Sequence, residues 1–184
     1  MRTFIAIELP EKIRKKIFQE FQKLKGLDLI RGKFVEEENL HLTMKFLDGQ
    51  SDKKIKEIEK MLKEIKFESF ECEGGYVGVF PLEGKGNTRI IWVKLISDKF
   101  KELNKLIEDK LIEIGIPKEA NEFKSHVTAV RVYVVKNKKV LPTKLKQINF
   151  KGNSFEVKNF SLMSSELTPS GPIYGKIKDF KLGK

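Results

Sequence analysis

The chain has 184 residues, of which 40% are hydrophobic and 34% charged, and it carries a formal net charge of +11. That supplies enough apolar material for one compact domain, or for two small lobes sharing a core, and excludes a disordered tail. No apolar run reaches the roughly 18 residues of a membrane span, the opening MRTFIAIELPEK lacks the apolar core and cleavage site of a signal peptide, and one cysteine, Cys72, cannot form an internal disulfide.

Residues 3–9, TFIAIEL, read as a buried strand. A helix follows from Pro10, which suits a first turn, to Gly26, with Ile13, Ile17, Phe21 and Leu24 on one face. After a loop, LHLTMKFL alternates as a strand should. A second helix is expected over 52–65, with Ile55, Ile58, Leu62 and Ile65 on one side. SFECEGGYVGVF then reads as a strand bent or bulged at Gly74-Gly75.

From residue 89 the same order begins again. RIIWVKL is a strand. Ser97 is the expected N-cap of a helix carrying Phe100, Leu103, Ile107, Leu111 and Ile114, which Gly115 and Pro117 end. HVTAVRVYVV is a strand, PTKLKQI a short helix, and SFEVKNFSLMSSEL and IYGKIKDFKL are two closing strands. Cys72 is expected as a half-buried strand thiol in a reducing cytoplasm. Trp92 is expected in the core. The glycine-rich GKGNTR, residues 84–89, lacks the Walker pattern and reads as a surface loop within the crossover 81–89.

The chain contains two histidines, and each is followed two places later by threonine: His41 with Thr43 and His126 with Thr128. Threonine occupies six of 184 positions, so both coincidences together have a chance of about 0.1%. Thr3 to His41 is 38 residues and Ile90 to His126 is 36. The repeated order and spacing suggest an internal duplication in a single domain, with motif-bearing halves of roughly 1–80 and 89–184 and strand exchange between them possible. Equivalent strands could meet at a shared cleft.

On a regular strand His41, Thr43 and Lys45 share one face, while Leu42, Met44 and Phe46 share the other. The same parity joins His126 to Thr128, but points Arg131 away. Two imidazoles that titrate near neutrality suit a phosphodiester. One takes a proton from the attacking oxygen and the other gives one to the leaving oxygen, each transfer being worth about 10²–10⁴-fold. Threonine hydroxyls and a nearby Arg or Lys can hold the phosphate oxygens. Metal catalysis is disfavoured: two histidines are too few for a three-histidine site, and neither has helical zinc spacing. The positive charge favours polyanions.

These motifs resemble those of the 2H phosphoesterases, and within them the bacterial and archaeal RNA 2′,3′-cyclic phosphodiesterases, also called 2′-5′ RNA ligases. The resemblance runs from FIAIELP through ENLHLTMKFLDG, GVFP and FKSHVTAVRV to SSELTPSGPIYGKI. It implies a bilobal α+β fold with two mainly antiparallel sheets lining a cleft and helices outside. It also implies hydrolysis of an RNA 2′,3′-cyclic phosphate to a 2′-phosphate with no cofactor and no metal.

Carried over by motif, His41 is the proton donor and His126 the proton acceptor. Thr43, Thr128 and Arg131 bind phosphate, with Lys45 as a further candidate. The implied partner is RNA, tRNA fragments among the candidates, or a cyclic nucleotide, met by a cytoplasmic monomer away from membranes. Ser125 stands where the family usually has proline, with consequence expected only for local strand entry. FLDG carries one residue more than the usual FLG, expected to lengthen a turn. Ligation through a 2′-5′ bond by the same site, and a non-catalytic RNA- or nucleotide-binding module, are the alternatives.

Overall fold

The computed structural model describes residues 1–81, 86–169 and 171–183. In chain order it has β1 (Arg2–Glu8), α1 (Glu11–Gly26), β2 (Ile30–Phe34), a 3₁₀ turn at Glu37–Asn39, β3 (His41–Gly49), α2 (Asp52–Lys63) and β4 (Phe70–Phe80). Then come β5 (Ile90–Ile96), α3 (Lys99–Ile112), β6 (His126–Val135), α4 (Val140–Gln147), β7 (Ser154–Val157), β8 (Asn159–Thr168) and β9 (Gly171–Lys181). The helices form where apolar residues recur at helical spacing: Ile13, Ile17, Phe21 and Leu24 are the buried stripe of α1. Ser51 caps α2 by accepting from the Lys54 N–H at 3.2 Å. α3 starts one residue later than Ser97 would have it, with Asp98 at the N-cap position.

The strands form one sheet in the order β7-β4-β5-β6-β3-β1-β8-β9, with β2 on β6. Every pairing between named strands is antiparallel. Read outward from the centre, each side is a motif strand, then β1 or β5, then β8 or β4, then an edge strand. The two expected sheets are therefore halves of one, and a single residue pair, Leu42 with Val127, joins β3 to β6.

Each half of the chain also lends two strands to the other side, β2 and β4 from the first and β8 and β9 from the second. β4 pairs with β5, and β8 pairs with β1. Six strand steps separate β7 from β8, about 29 Å in a flat sheet. Only Lys158 lies between Val157 and Asn159, and two residues span no more than about 7 Å. The sheet must curl into a half-barrel.

Two stretches differ from expectation. IRGKF was expected within a loop, yet it is β2; its two cations and one glycine hide the alternation, and it is held by β6 alone. SFEVKNFSLMSSEL is two strands, because the chain changes sides of the sheet at Lys158. The expected bend in β4 is present, as the β4–β5 register shifts between Gly74 and Val77. The crossover 81–89 lies partly outside the described residues.

Both motif strands carry the same irregularity. Opposite β1 the register steps from Ala6–Thr43 to Ile5–Lys45, so Met44 is an extra residue. Opposite β5 it steps from Trp92–Thr128 to Ile91–Val130, so Ala129 is extra. Each is a one-residue bulge, and each reverses the facing of everything after it. The regular parity expected from the sequence holds only up to the bulge. A second skip at Leu47, with Asp48 at φ 56°, takes up the additional residue of FLDG inside β3, not in a turn.

Lys45 is consequently turned into the protein interior, 1% exposed, while Phe46 is 60% exposed. The Lys45 ammonium meets Glu108 Oε2 at 2.8 Å and the Pro117 carbonyl at 2.8 Å. Asn104, one turn before Glu108 on α3, donates to the Met44 carbonyl at 2.7 Å. Helix α3 thus supplies the polar groups that the bulge requires once buried. Lys45 is a structural ion-pair partner, not a phosphate ligand.

Lys45→Ala strands the Glu108 carboxylate and should cost about 3–5 kcal/mol in denaturant unfolding. Lys45→Met combined with Glu108→Leu should recover most of that loss. An Ala variant that unfolds at the wild-type denaturant concentration would contradict this role.

Candidate active site

The Leu42–Val127 pair sets the site. Both side chains enter the main core. Their neighbours along the strands must therefore point to the opposite sheet face. His41 and Thr43 flank Leu42, and His126 and Thr128 flank Val127, so four side chains emerge around one bridge. All four are half-buried. The structure thus brings together the two motifs that the sequence separates by 85 positions.

The imidazoles are held alike. His41 Nδ1 lies 2.7 Å from the Asn39 carbonyl, and His126 Nδ1 lies 2.6 Å from the Lys124 carbonyl. A carbonyl only accepts, so both Nδ1 atoms carry the proton and donate it. Each Nε2 is left as the atom that can exchange protons. His41 Nε2 is 3.1 Å from the Thr43 hydroxyl.

Aromatic rings surround both histidines, and sequence periodicity gave no sign of it. Phe4 and Tyr174 stand against His41 with ring centroids 5.0 and 5.2 Å away, Tyr174 edge-on. Phe80 and Trp92 stand against His126 at 5.2 and 5.9 Å and stack on each other at 4.9 Å. Trp92 is buried as expected, but on the histidine face and not in the main core. It lies so close over β4 that a Cβ on Gly78 would meet its ring at 2.3 Å, which accounts for the glycine of GVFP.

This burial is the first reason that both imidazoles lie below their ordinary value of 6.5. For His41 the Asn39 hydrogen bond opposes the shift, Arg131 adds to it, Glu8 opposes it and His126 adds to it. For His126 the Lys124 hydrogen bond opposes it, while Lys94 and Lys124 as charges add to it.

Arg131 would face away from His126 on a regular strand. The Ala129 bulge reverses that parity and leaves Arg131 exposed on the histidine face, within electrostatic reach of His41 and Tyr174. Strand β2 passes tightly beside it, for a Cβ on Gly32 would lie 2.4 Å from the Arg131 carbonyl. The position matching Arg131 in the other half is Phe46, so the two halves differ here by a full charge.

Ser125 does more than set strand entry. It is buried, donates to the Leu95 carbonyl at 2.6 Å and accepts from Lys94 Nζ at 3.0 Å. Cys72 is fully buried, not half-buried, and its thiol is pushed up to about 12 by burial, which leaves it inert. Among the described residues no group of three His, Cys, Asp or Glu is placed to hold a metal ion, and no helix is long and apolar enough to cross a membrane.

The sequence model of the family described as LigT like Phosphoesterase matches this chain twice, over residues 7–92 and 91–174. An RNA 2′,3′-cyclic phosphodiesterase of Methanocaldococcus jannaschii is 38% identical, covering 98% of this chain and all of its own. The crystal structure of TT0787 from Thermus thermophilus superimposes with a TM-score of 0.86 at 26% identity, covering both chains fully. That of E. coli LigT complexed with 3′-AMP gives 0.79 at 22% identity, covering 100% of this chain and 98% of that one. A double match spanning nearly the whole chain, with a full-length relative above 30% identity, means that this protein belongs to the LigT-like phosphoesterase family.

Proposed function

We propose that the protein hydrolyses the 2′,3′-cyclic phosphate at an RNA end to a 2′-phosphate, as a cytoplasmic monomer of two pseudo-symmetric lobes. The observation that carries the reading is the pair of Nε2 atoms, each fixed by an Nδ1 hydrogen bond, presented on one face around Leu42–Val127. The duplication is supported by the mirrored strand order and by the two successive family matches.

In this reading the phosphate lies over the bridge. Thr43 and Thr128 donate to its non-bridging oxygens, and Arg131 offsets the charge that grows there. A water oxygen attacks phosphorus as its proton passes to neutral His126 Nε2. The bond from phosphorus to O3′ breaks, and O3′ takes the proton of His41 Nε2. The products are a 2′-phosphate and a free 3′ hydroxyl. Proton exchange with solvent then resets both rings. Asn39 and Lys124, through their carbonyls, keep the rings oriented throughout.

His41→Ala and His126→Ala should each lower kcat on a short cyclic-phosphate RNA by about 10²–10⁴-fold while circular dichroism stays unchanged. Near-wild-type turnover in either would refute the acid–base pair. Arg131→Gln should lose roughly 10²-fold in kcat/KM, whereas the Lys45→Met/Glu108→Leu protein should keep its rate.

The pH dependence follows from the downward shifts. The base must be neutral and the acid protonated, and both pKa values lie below 6.5 in the free protein. kcat/KM should therefore trace a bell centred on the acid side of 6.5, and a profile flat from pH 5 to 9 would contradict it.

A further inference from the structure

The two motifs are the same, yet the proposed reaction needs one imidazole to give a proton and the other to take one. The asymmetry has to come from residues outside the motifs. The strand register identifies matching positions in the two halves. Glu8 on β1 lies directly opposite His41, and Lys94 on β5 lies directly opposite His126. Equivalent sites thus carry opposite charges. We infer that Glu8, and Lys94 held by Ser125, are the positioning residues that make His41 the acid and His126 the base.

The charges around each ring agree. Beside His41, the Glu8 carboxylate is paired with Lys176 at 2.6 Å and accepts from Ser161 at 3.3 Å. Asp179 accepts from the same serine at 2.5 Å and from Lys176 at 3.2 Å. Two carboxylates share one ammonium, which leaves this cluster with a net negative charge. Arg131 and His126 from β6 also act on His41 as charges, and the ring of Tyr174 from β9 meets it edge-on. Arg131 opposes Glu8 in the free protein, but a bound phosphate answers the Arg131 charge and leaves Glu8 acting.

Beside His126 the sign is reversed. Lys94 and Lys124 both act on the ring, while Lys101 and Glu122 behind them form an ion pair at 2.8 Å. Lys94 is kept there by Ser125, whose hydroxyl is oriented by the Leu95 carbonyl and so offers its lone pair to the ammonium. A residue without a hydroxyl at position 125 could not do this, so the anchor depends on the serine that stands there. A nearby carboxylate favours the imidazolium, and nearby ammonium groups favour the neutral ring. Lys94 and Lys124 thus favour the neutral form of His126, and Glu8 favours the protonated form of His41.

This inference rests on the acid–base reading of the site, but its test does not need turnover. The chain has two histidines, so a full-length sample gives two ring Cε1–H signals in NMR, assigned with His41→Ala and His126→Ala. Lys94→Gln should raise the His126 midpoint by roughly half a pH unit or more and leave His41 in place. Glu8→Gln should lower the His41 midpoint and leave His126 in place. Lys94→Arg should keep the wild-type midpoints, and Ser125→Ala should move His126 part of the way up.

In kcat profiles, which report the substrate-bound protein, Lys94→Gln should shift the acid limb upward and Glu8→Gln the alkaline limb downward. A purely structural role would lower the rate without moving either limb. Midpoints that stay put, or limbs that move the other way, overturn the inference. Midpoints that move as stated in a protein that hydrolyses no cyclic phosphate would uphold the charge assignment and refute the proposed function.

Discussion

The site depends on a single β-bridge. Leu42 and Val127 are the one residue pair between β3 and β6, and through them the two halves of the sheet become continuous. Their side chains belong to the same core as the buried faces of all four helices. Packing therefore fixes the pair, and the pleat fixes the rest: residues on either side of it can only face away from the core. Any change in packing that shifts one motif strand against the other by one residue would put an imidazole into the core and a leucine or valine into the site.

The bulges at Met44 and Ala129 show how the fold uses one irregularity twice with different results. Each leaves a backbone carbonyl that must be satisfied. The Asn104 side chain bonds Met44, and the Val35 N–H bonds Ala129 at 2.9 Å. Each also turns the fifth residue after the histidine outward. In one half that residue is Phe46 and in the other Arg131. The repeated strand order supplies the pair of imidazoles, and differences at matching positions supply the single guanidinium and the opposed charges of Glu8 and Lys94. A symmetric frame with asymmetric substituents suits a reaction in which both groups touch one phosphate and must do opposite things.

Much of this was legible in the sequence. The helices announced themselves through stripes such as Ile13, Ile17, Phe21 and Leu24, and the strand 126–135 through its alternation. The paired His-x-Thr motifs pointed to the site because both histidines shared the pattern. Strand parity failed at Lys45 and Arg131, for nothing local in LTMKF or VTAVR marks a bulge; the extra residue is defined by the partner strand. The aromatic walls were hidden because Phe4, Phe80, Trp92 and Tyr174 come from four different strands. β2 and the break at Lys158 were hidden because both depend on how the sheet curls. Ser125 looked like a neutral replacement until Lys94 was seen beside it.

The most direct test asks which bond of the ring is broken. A short RNA ending in a 2′,3′-cyclic phosphate, incubated with the protein in ¹⁸O-labelled water with EDTA present, gives a product whose terminal phosphate can be located by phosphorus NMR. The expected result is a 2′-phosphate carrying one label, formed by wild type and by neither single-histidine alanine variant. A 3′-phosphate, or an unlabelled product, would contradict proton delivery from His41 to O3′ and water activation by His126.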